Sequence, residues 1–143
     1  MLNEIIEGIS LQLNRVFGDG YPVYQNEVAQ GLEEPCFFIA VLKPEVSPLL
    51  GRRAMLRNPF VVQYFPTDPG QNEEMYQVAE RLTEALEFIT LRNGDLLHGI
   101  GMSYEAVDGV LHFFVSYHLP LIRPVEQTNM ETLEALVDTE QKG

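Results

Sequence analysis

The chain has 143 residues, of which 45% are apolar and 21% charged, values typical of a soluble globular domain. Its net charge of −12 argues against a protein that wraps nucleic acid, because phosphate binding needs clustered basic side chains. No apolar run approaches the roughly 20 residues of a membrane span, and the first residues lack the basic start of a signal peptide. The single cysteine, Cys36, excludes an intrachain disulfide, and we expect a buried, inert thiol in a reducing cytosol.

Two stretches have the apolar spacing of amphipathic helices. In the first, Asn3 is a candidate N-cap and Gly18 or Gly20 a candidate stop. The second begins near Glu73, with negative charge in its first turn. The apolar stripes are Leu2, Ile5, Ile6, Ile9, Leu13, Val16 and Phe17 in the first helix, and Met75, Val78, Ala79, Leu82, Leu86 and Ile89 in the second.

Three segments before the second helix are predicted to form strands. Residues 21–28 form a short strand, and residues 36–42 are apolar throughout, which indicates a strand covered on both faces. Residues 60–65 are aromatic or β-branched and form the central strand. Pro59 should occupy its first position and Pro66 should follow its last, where a missing N–H costs the sheet least.

Asp108-Gly109 predicts a β-hairpin between residues 102–107 and residues 110–119, since this dipeptide suits a two-residue turn. Pro120 and Pro124 should discourage further regular pairing. In the second arm, the predicted inner face consists of Leu111, Phe113, Val115 and Tyr117.

The element order α-β-β-β-α-β-β predicts a single α+β domain over residues 1–123, with two main helices packed on one side of a small antiparallel sheet. Residues 124–143 form a C-terminal tail. Apolar residues at helical spacing predict a short amphipathic helix there, which would order only against the body or a partner. These residues are Met130, Leu133, Leu136 and Val137.

Residues 43–57 predict a connection that is long for a compact domain, and such loops often carry function. The segment mixes apolar and arginine residues, as a docking loop would. A hairpin extension whose apolar side chains fold back on the domain is the alternative, and the arginines could equally belong to a solvated loop. The candidate protein-interface residues are Leu49, Leu50, Arg52, Arg53, Met55 and Arg57, with Met130 and Leu133 in the tail.

No recognisable arrangement of catalytic or metal-binding residues occurs in the sequence. His112 and His118 lie about 20 Å apart along a predicted strand, too far to share a metal ion. Residues 101–105 depart from the GxSxG pattern at its last glycine. We therefore predict no catalytic, cofactor-binding or metal-binding residues and no enzymatic activity.

Five segments resemble, in order and spacing, the tail terminator family of phages and prophages of Gram-positive bacteria. They are residues 17–21 (Phe-Gly-Asp-Gly-Tyr), 30–38, 57–60 (Arg-Asn-Pro-Phe), 64–66 (Tyr-Phe-Pro) and 108–113. The resemblance covers about residues 1–123. It implies a structural subunit of a ring, commonly a hexamer, that caps the tail tube, stops its polymerisation and presents a surface for head joining.

The resemblance also implies partners and a location. The partners would be copies of the same chain, the tail tube protein and a head-completion or connector protein. The location would be the head-proximal end of the virion tail, reached by assembly in the host cytoplasm. DNA would pass through the ring without specific binding. The alternatives are a head-completion or connector protein, a small-molecule-binding or enzymatic α+β domain, and an accessory module that regulates a host protein.

Overall fold

A computed structural model describes residues 2–25, 33–68, 70 and 72–122, which form two helices and seven strands. This confirms the predicted α+β class. The elements are α1 (Leu2–Phe17), β1 (Val23–Gln25), β2 (Cys36–Val41), β3 (Glu45–Pro48), β4 (Arg53–Phe65), α2 (Asn72–Ala85), β5 (Phe88–Thr90), β6 (Leu96–Val107) and β7 (Val110–Ile122). No helix in the described ranges is long and apolar enough to cross a membrane.

The strands form one mixed sheet in the order β1-β2-β4-β7-β6-β5, and β3 also pairs with β4. The expectation of a purely antiparallel sheet is corrected at one edge, because β1 runs parallel to β2 with Val23 opposite Phe37. All other strand pairs described are antiparallel. The strand predicted at residues 21–28 begins at Val23, two residues later than expected, and its last three predicted residues lie outside the described ranges.

The core lies between one face of the sheet and the two helices. The predicted inner face of β7 is confirmed, because Leu111, Phe113, Val115 and Tyr117 are buried. They pack with the stripes of both helices and with alternate residues of β2 and β4. The other buried residues of those stripes and strands include Ile5, Ile9, Leu13, Phe37, Ile39, Phe60, Val62, Tyr64, Met75, Ala79, Leu82 and Leu86.

The helix boundaries differ from the predictions at both helices. α1 begins at Leu2, so Asn3 lies in its first turn and is not the residue before it. Gly18 ends α1 as predicted, with a φ of 89° that favours glycine. α2 ends at Ala85, and Ile89 belongs to β5. The Ile89 side chain is buried in the same core, which is why its spacing matched the helical stripe.

Pro59 and Pro120 lie inside strands, which corrects both proline predictions. The Pro59 carbonyl accepts a hydrogen bond from the Leu42 N–H and therefore points away from β7. In an antiparallel strand the nitrogen and the carbonyl of one residue point to the same side, so the Pro59 nitrogen points away from β7 as well. Pro59 pairs with Ser116 and Pro120 with Met55, so by the same alternation the Pro120 nitrogen points away from β4. Neither proline therefore removes a β4–β7 hydrogen bond, and the pairing continues to Ile122.

β2 is covered less completely than predicted. Phe37 and Ile39 face the helices and are buried, whereas Phe38 and Ala40 on the other face are half-buried. Cys36 is a buried free thiol, as predicted. Burial raises the pKa of this thiol, and the nearby carboxylate of Glu34 raises it further, so the group stays protonated and unreactive at neutral pH.

Candidate functional site: an exposed arm of the sheet

The predicted long loop at residues 43–57 is instead a β-hairpin, which corrects that prediction. β3 pairs with β4 from Glu45 opposite Arg57 to Pro48 opposite Ala54. The alternative, a hairpin extension, is right about the backbone. Its apolar side chains fold back on the domain only in part, because Met55 and Leu56 are half-buried whereas Leu50 is 91% exposed. We call β3, the turn at residues 49–52, residues 53–57 of β4 and residues 118–122 of β7 the arm.

Backbone hydrogen bonds define the turn of the arm. The Leu49 N–H donates to the Arg53 carbonyl over 2.8 Å, and the Arg53 N–H donates to the Leu50 carbonyl over 3.4 Å. Gly51 has a φ of 70°, a conformation that side-chain-bearing residues adopt rarely. The turn therefore holds Leu50 and Arg52 outward at its tip.

The arm carries three strongly exposed apolar residues. Leu50 at the turn is joined by Val46 on β3 and by Ile122 at the end of β7, which are 59% and 71% exposed. Val46 lies opposite Leu56 and Ile122 lies opposite Arg53, so the two side chains point to opposite faces of the arm. Isolated exposed apolar residues are normal, but Ile122 lies on the face of the β4 arginines, and apolar residues beside arginines are typical of a contact surface.

Two of the three arginines of the arm share one face with an apolar residue. Arg53, Met55 and Arg57 alternate along β4, so they point to the same side, opposite Ile122, Pro120 and His118 of β7 respectively. Both arginines are exposed and Met55 is half-buried.

Two contacts place Arg57. Its Nε donates to Ser47 Oγ over 3.1 Å, which fixes the guanidinium across the β3–β4 pair. Partial burial lowers the pKa of His118, and the neighbouring charge of Arg57 lowers it further. The imidazole therefore prefers to be neutral beside the guanidinium at neutral pH.

Six of the eight predicted interface residues lie in the arm. Leu49, Leu50 and Arg52 form the turn, while Arg53, Met55 and Arg57 follow on β4. Met130 and Leu133 lie outside the described residues. Sequence reasoning missed Val46 and Ile122. The alternation of arginine with apolar residues after Gly51 is a signal for a strand. A strand there has neighbours on both sides, and in the structure these neighbours are β3, which carries Val46, and the end of β7, which carries Ile122.

A groove of about 510 Å³ lies at the root of the arm, next to the start of α1. Its described lining is Leu2, Asn3, Pro44, Leu56 and Asn58. Asn58 is 1% exposed, and its Nδ2 donates to the Tyr117 carbonyl over 3.1 Å. This lining offers apolar contact and hydrogen bonding. In the part of the chain that the structure describes, no group of three His, Cys, Asp or Glu residues could hold a metal ion.

Comparison with protein families gives a match over most of the chain. A family model described as phage tail terminator protein matches residues 4–129. A search of curated proteins found no match. The family match includes the arm, α2, all seven described strands and α1 from Glu4 onward.

Proposed function

Because the chain belongs to the phage tail terminator family, we propose that it forms a ring of identical subunits that closes the head-proximal end of the tail tube. A role in the structure of the tail follows from the family. The ring, its hexameric state, the arrest of tube growth and the joining of the head are the proposed details.

The main support for this proposal is the exposed surface of the arm. The arm projects apolar and basic side chains from a molecule whose net charge is −12. Such a surface is suited to bind a partner that is acidic and partly apolar. Another copy of this chain has that composition, and the tube protein is the second partner of the proposal.

Termination requires a subunit with two different faces. One face of the ring would bind the last tube ring, and the other would reject a further tube ring and receive the head connector. A heterologous contact, in which one patch binds a different patch of the next copy, closes a ring with such polarity. An acidic ring would also let DNA slide through without binding to it.

Tails assembled without this protein test the proposal most directly. We expect negative-stain images to show overlong, headless tails, with length and head joining restored by the wild-type protein. Normal virions would contradict the proposed role. Tails of normal length that lack heads would indicate a head-completion or connector protein instead.

Charge reversal in the arm tests its part in assembly. The double change Arg52→Glu and Arg53→Glu should prevent the protein from capping tails at moderate salt, because it replaces attraction for an acidic partner with repulsion. Arg15→Glu is the matched control, since Arg15 is an exposed arginine on α1 whose described hydrogen bond is to Gln12. Capping by the arm variant at wild-type efficiency would exclude the arm arginines from the interface.

The tail around Met130 and Leu133 is the second proposed contact element. Its apolar spacing within an acidic segment is the only support for this assignment, since it lies outside the described residues. A chain truncated before Val125 should cap tails less efficiently than the full chain. Unchanged capping by the truncated chain would remove the tail from the proposal.

A further inference from the structure

The sheet has an open edge on the side away from the arm. β5 pairs with β6 only at residues 96–98. From residue 101 to residue 107, no described strand lies on the outer side of β6. An open edge presents unpaired N–H and C=O groups to a partner. Among the described residues, this part of β6 has no strand partner on that side.

Two exposed tyrosines lie beside this edge. Tyr76 on α2 and Tyr104 on β6 are 46% and 43% exposed, and their ring centroids are 6.4 Å apart. The ring of Tyr104 also stacks on the buried ring of Phe113, at 6.1 Å and with 10° between the planes. The core thus holds Tyr104 in one orientation while one part of the ring stays exposed. Tyrosine rings presented in this way suit contact with guanidinium and aliphatic groups.

Carboxylates surround the exposed tyrosine of α2. Glu73 and Glu80 lie three residues before and four residues after Tyr76, so all three share one side of the helix. Glu84 extends the row by another turn. All three glutamates are exposed, and none forms an ion pair with a described residue. We call this row, with Tyr76, Tyr104 and the open edge of β6, the α2–β6 surface.

The only basic residue of α2 points away from the α2–β6 surface. The Arg81 Nη2 donates to the Val16 carbonyl over 2.8 Å, and its guanidinium lies 4.2 Å from the centre of the Phe17 ring. Arg81 is therefore directed toward α1 and does not neutralise the glutamates. The surface presents negative charge and aromatic rings, which complement the arginines and aliphatic groups of the arm.

We infer that the arm of one copy docks on the α2–β6 surface of the next copy. The inference rests on the proposed ring and names the two patches that join its subunits. β3 and β6 lie at opposite sides of the sheet, separated by β4 and β7. One copy can therefore use its arm and its α2–β6 surface at the same time, each with a different neighbour, which is the requirement for a heterologous contact that closes.

Cross-linking of purified tails tests the pairing. In a chain carrying both Leu50→Cys and Gln77→Cys, a short thiol-reactive linker should join neighbouring subunits into a ladder that ends at the size of the ring. Gln77 is an exposed neighbour of Tyr76, and the native Cys36 is buried and should not react. Each single variant should give no ladder. The control, Leu50→Cys with Asn14→Cys on the exposed side of α1, should give none either.

Charge exchange gives a second, independent readout. Glu73→Lys with Glu80→Lys should weaken subunit association about tenfold, as should the arm variant Arg52→Glu with Arg53→Glu, because each leaves two pairs of like charges facing. All four changes in one chain should restore most of the association, since the charges are then exchanged across the contact. Charge reversal at Glu4 on α1 and at Asp19 in the turn after it should not rescue the arm variant.

The outcomes separate the inference from the proposed function. Normally capped tails without a ladder in the Leu50→Cys, Gln77→Cys chain would overturn the pairing and leave the terminator role intact. If the single Leu50→Cys variant were cross-linked into dimers only, two arms would lie against each other, and this result would also overturn the pairing of the arm with the α2–β6 surface. Absence of the wild-type protein from purified tails would refute the proposed function and, with it, this inference.

Discussion

The two halves of β4 differ in what surrounds them. Residues 58–65 lie between β2 and β7 and beneath the helices, so that Phe60, Val62 and Tyr64 are fully buried. Residues 53–57 lie between β3 and β7, where Arg53 and Arg57 are exposed and Met55 is half-buried. One continuous strand therefore serves the core of the body at one end and the surface of the arm at the other.

This difference separates the residues that stabilise the fold from those that remain for contact. Buried side chains of the body gain the free energy of removal from water on folding. Exposed side chains of the arm gain little of it, and the hairpin backbone holds them in place through its own hydrogen bonds. Substitutions in the body should therefore change stability, and substitutions in the arm should change assembly.

The largest expected effect is the loss of a core ring in the body. Phe113→Ala should lower the free energy of unfolding by about 3–5 kcal/mol, because it removes a fully buried ring and leaves a cavity. Denaturant unfolding measures this change. Leu50→Ala in the arm is the control and should stay within about 0.5 kcal/mol of wild type. Equal losses for the two variants would remove the distinction between body and arm.

A smaller effect is expected where the body is packed too closely for a methyl group. A Cβ at position 99 would lie 2.5 Å from the Leu86 carbonyl oxygen and 2.9 Å from a Val115 methyl carbon. Gly99→Ala should therefore lower the free energy of unfolding by roughly 1–3 kcal/mol. Gly20→Ala is matched to it, since nothing lies within 4 Å of a Cβ there. A stable Gly99→Ala protein would show that the body is looser than these distances imply.

Leu50→Asp in the arm should leave stability within about 0.5 kcal/mol of wild type and still reduce tail capping, because the side chain is exposed in the monomer and would be buried in the proposed contact. Thermal unfolding and tail-length measurements on the same preparation check both halves of the prediction. An unfolded variant, or one that caps tails normally, would contradict it.

The smallest expected effect is the pH dependence contributed by His118 in the arm. Its folded-state pKa lies below the ordinary value of 6.5, so the unfolded chain binds the proton more readily. This contribution to stability is present above pH 6.5 and is lost as the pH falls through the lower folded-state pKa. His118→Gln should flatten the acid side of the stability curve, by less than about 0.5 kcal/mol for a half-buried group at the surface. A steeper curve for the variant would reverse the assignment.

Local patterns predicted the elements whose neighbours in sequence are also their neighbours in space. The stripe of α1 and the Asp108-Gly109 hairpin were predicted correctly, because helical spacing and turn chemistry act over a few residues. Asp108 and Gly109 have φ values of 54° and 78°, as this turn requires. The sequence also clusters the interface candidates on residues 49–57, but it predicts a loop there and the structure has a hairpin.

Other features depended on pairing between distant parts of the chain. Pro120 predicts the end of a strand, unless it is known that β4 pairs with the edge of β7 from which the Pro120 nitrogen points away. Ile89 reads as the end of a helix unless the short β5 is known to lie against the same core. The α2–β6 surface joins α2 to a strand about 30 residues later, and no sequence pattern indicates that Tyr76 and Tyr104 lie side by side.

By itself the sequence determined the α+β class, the helix-facing side of β7, the buried thiol and the family. Each of these follows from periodicity, turn residues or the order of short motifs, which are properties of neighbouring residues. The tertiary structure alone decided that residues 45–57 extend the sheet as an arm and that an acidic, aromatic surface lies at its opposite side. Strand pairing brings residues together across long separations in the chain, and side-chain exposure is known only once those pairs are made.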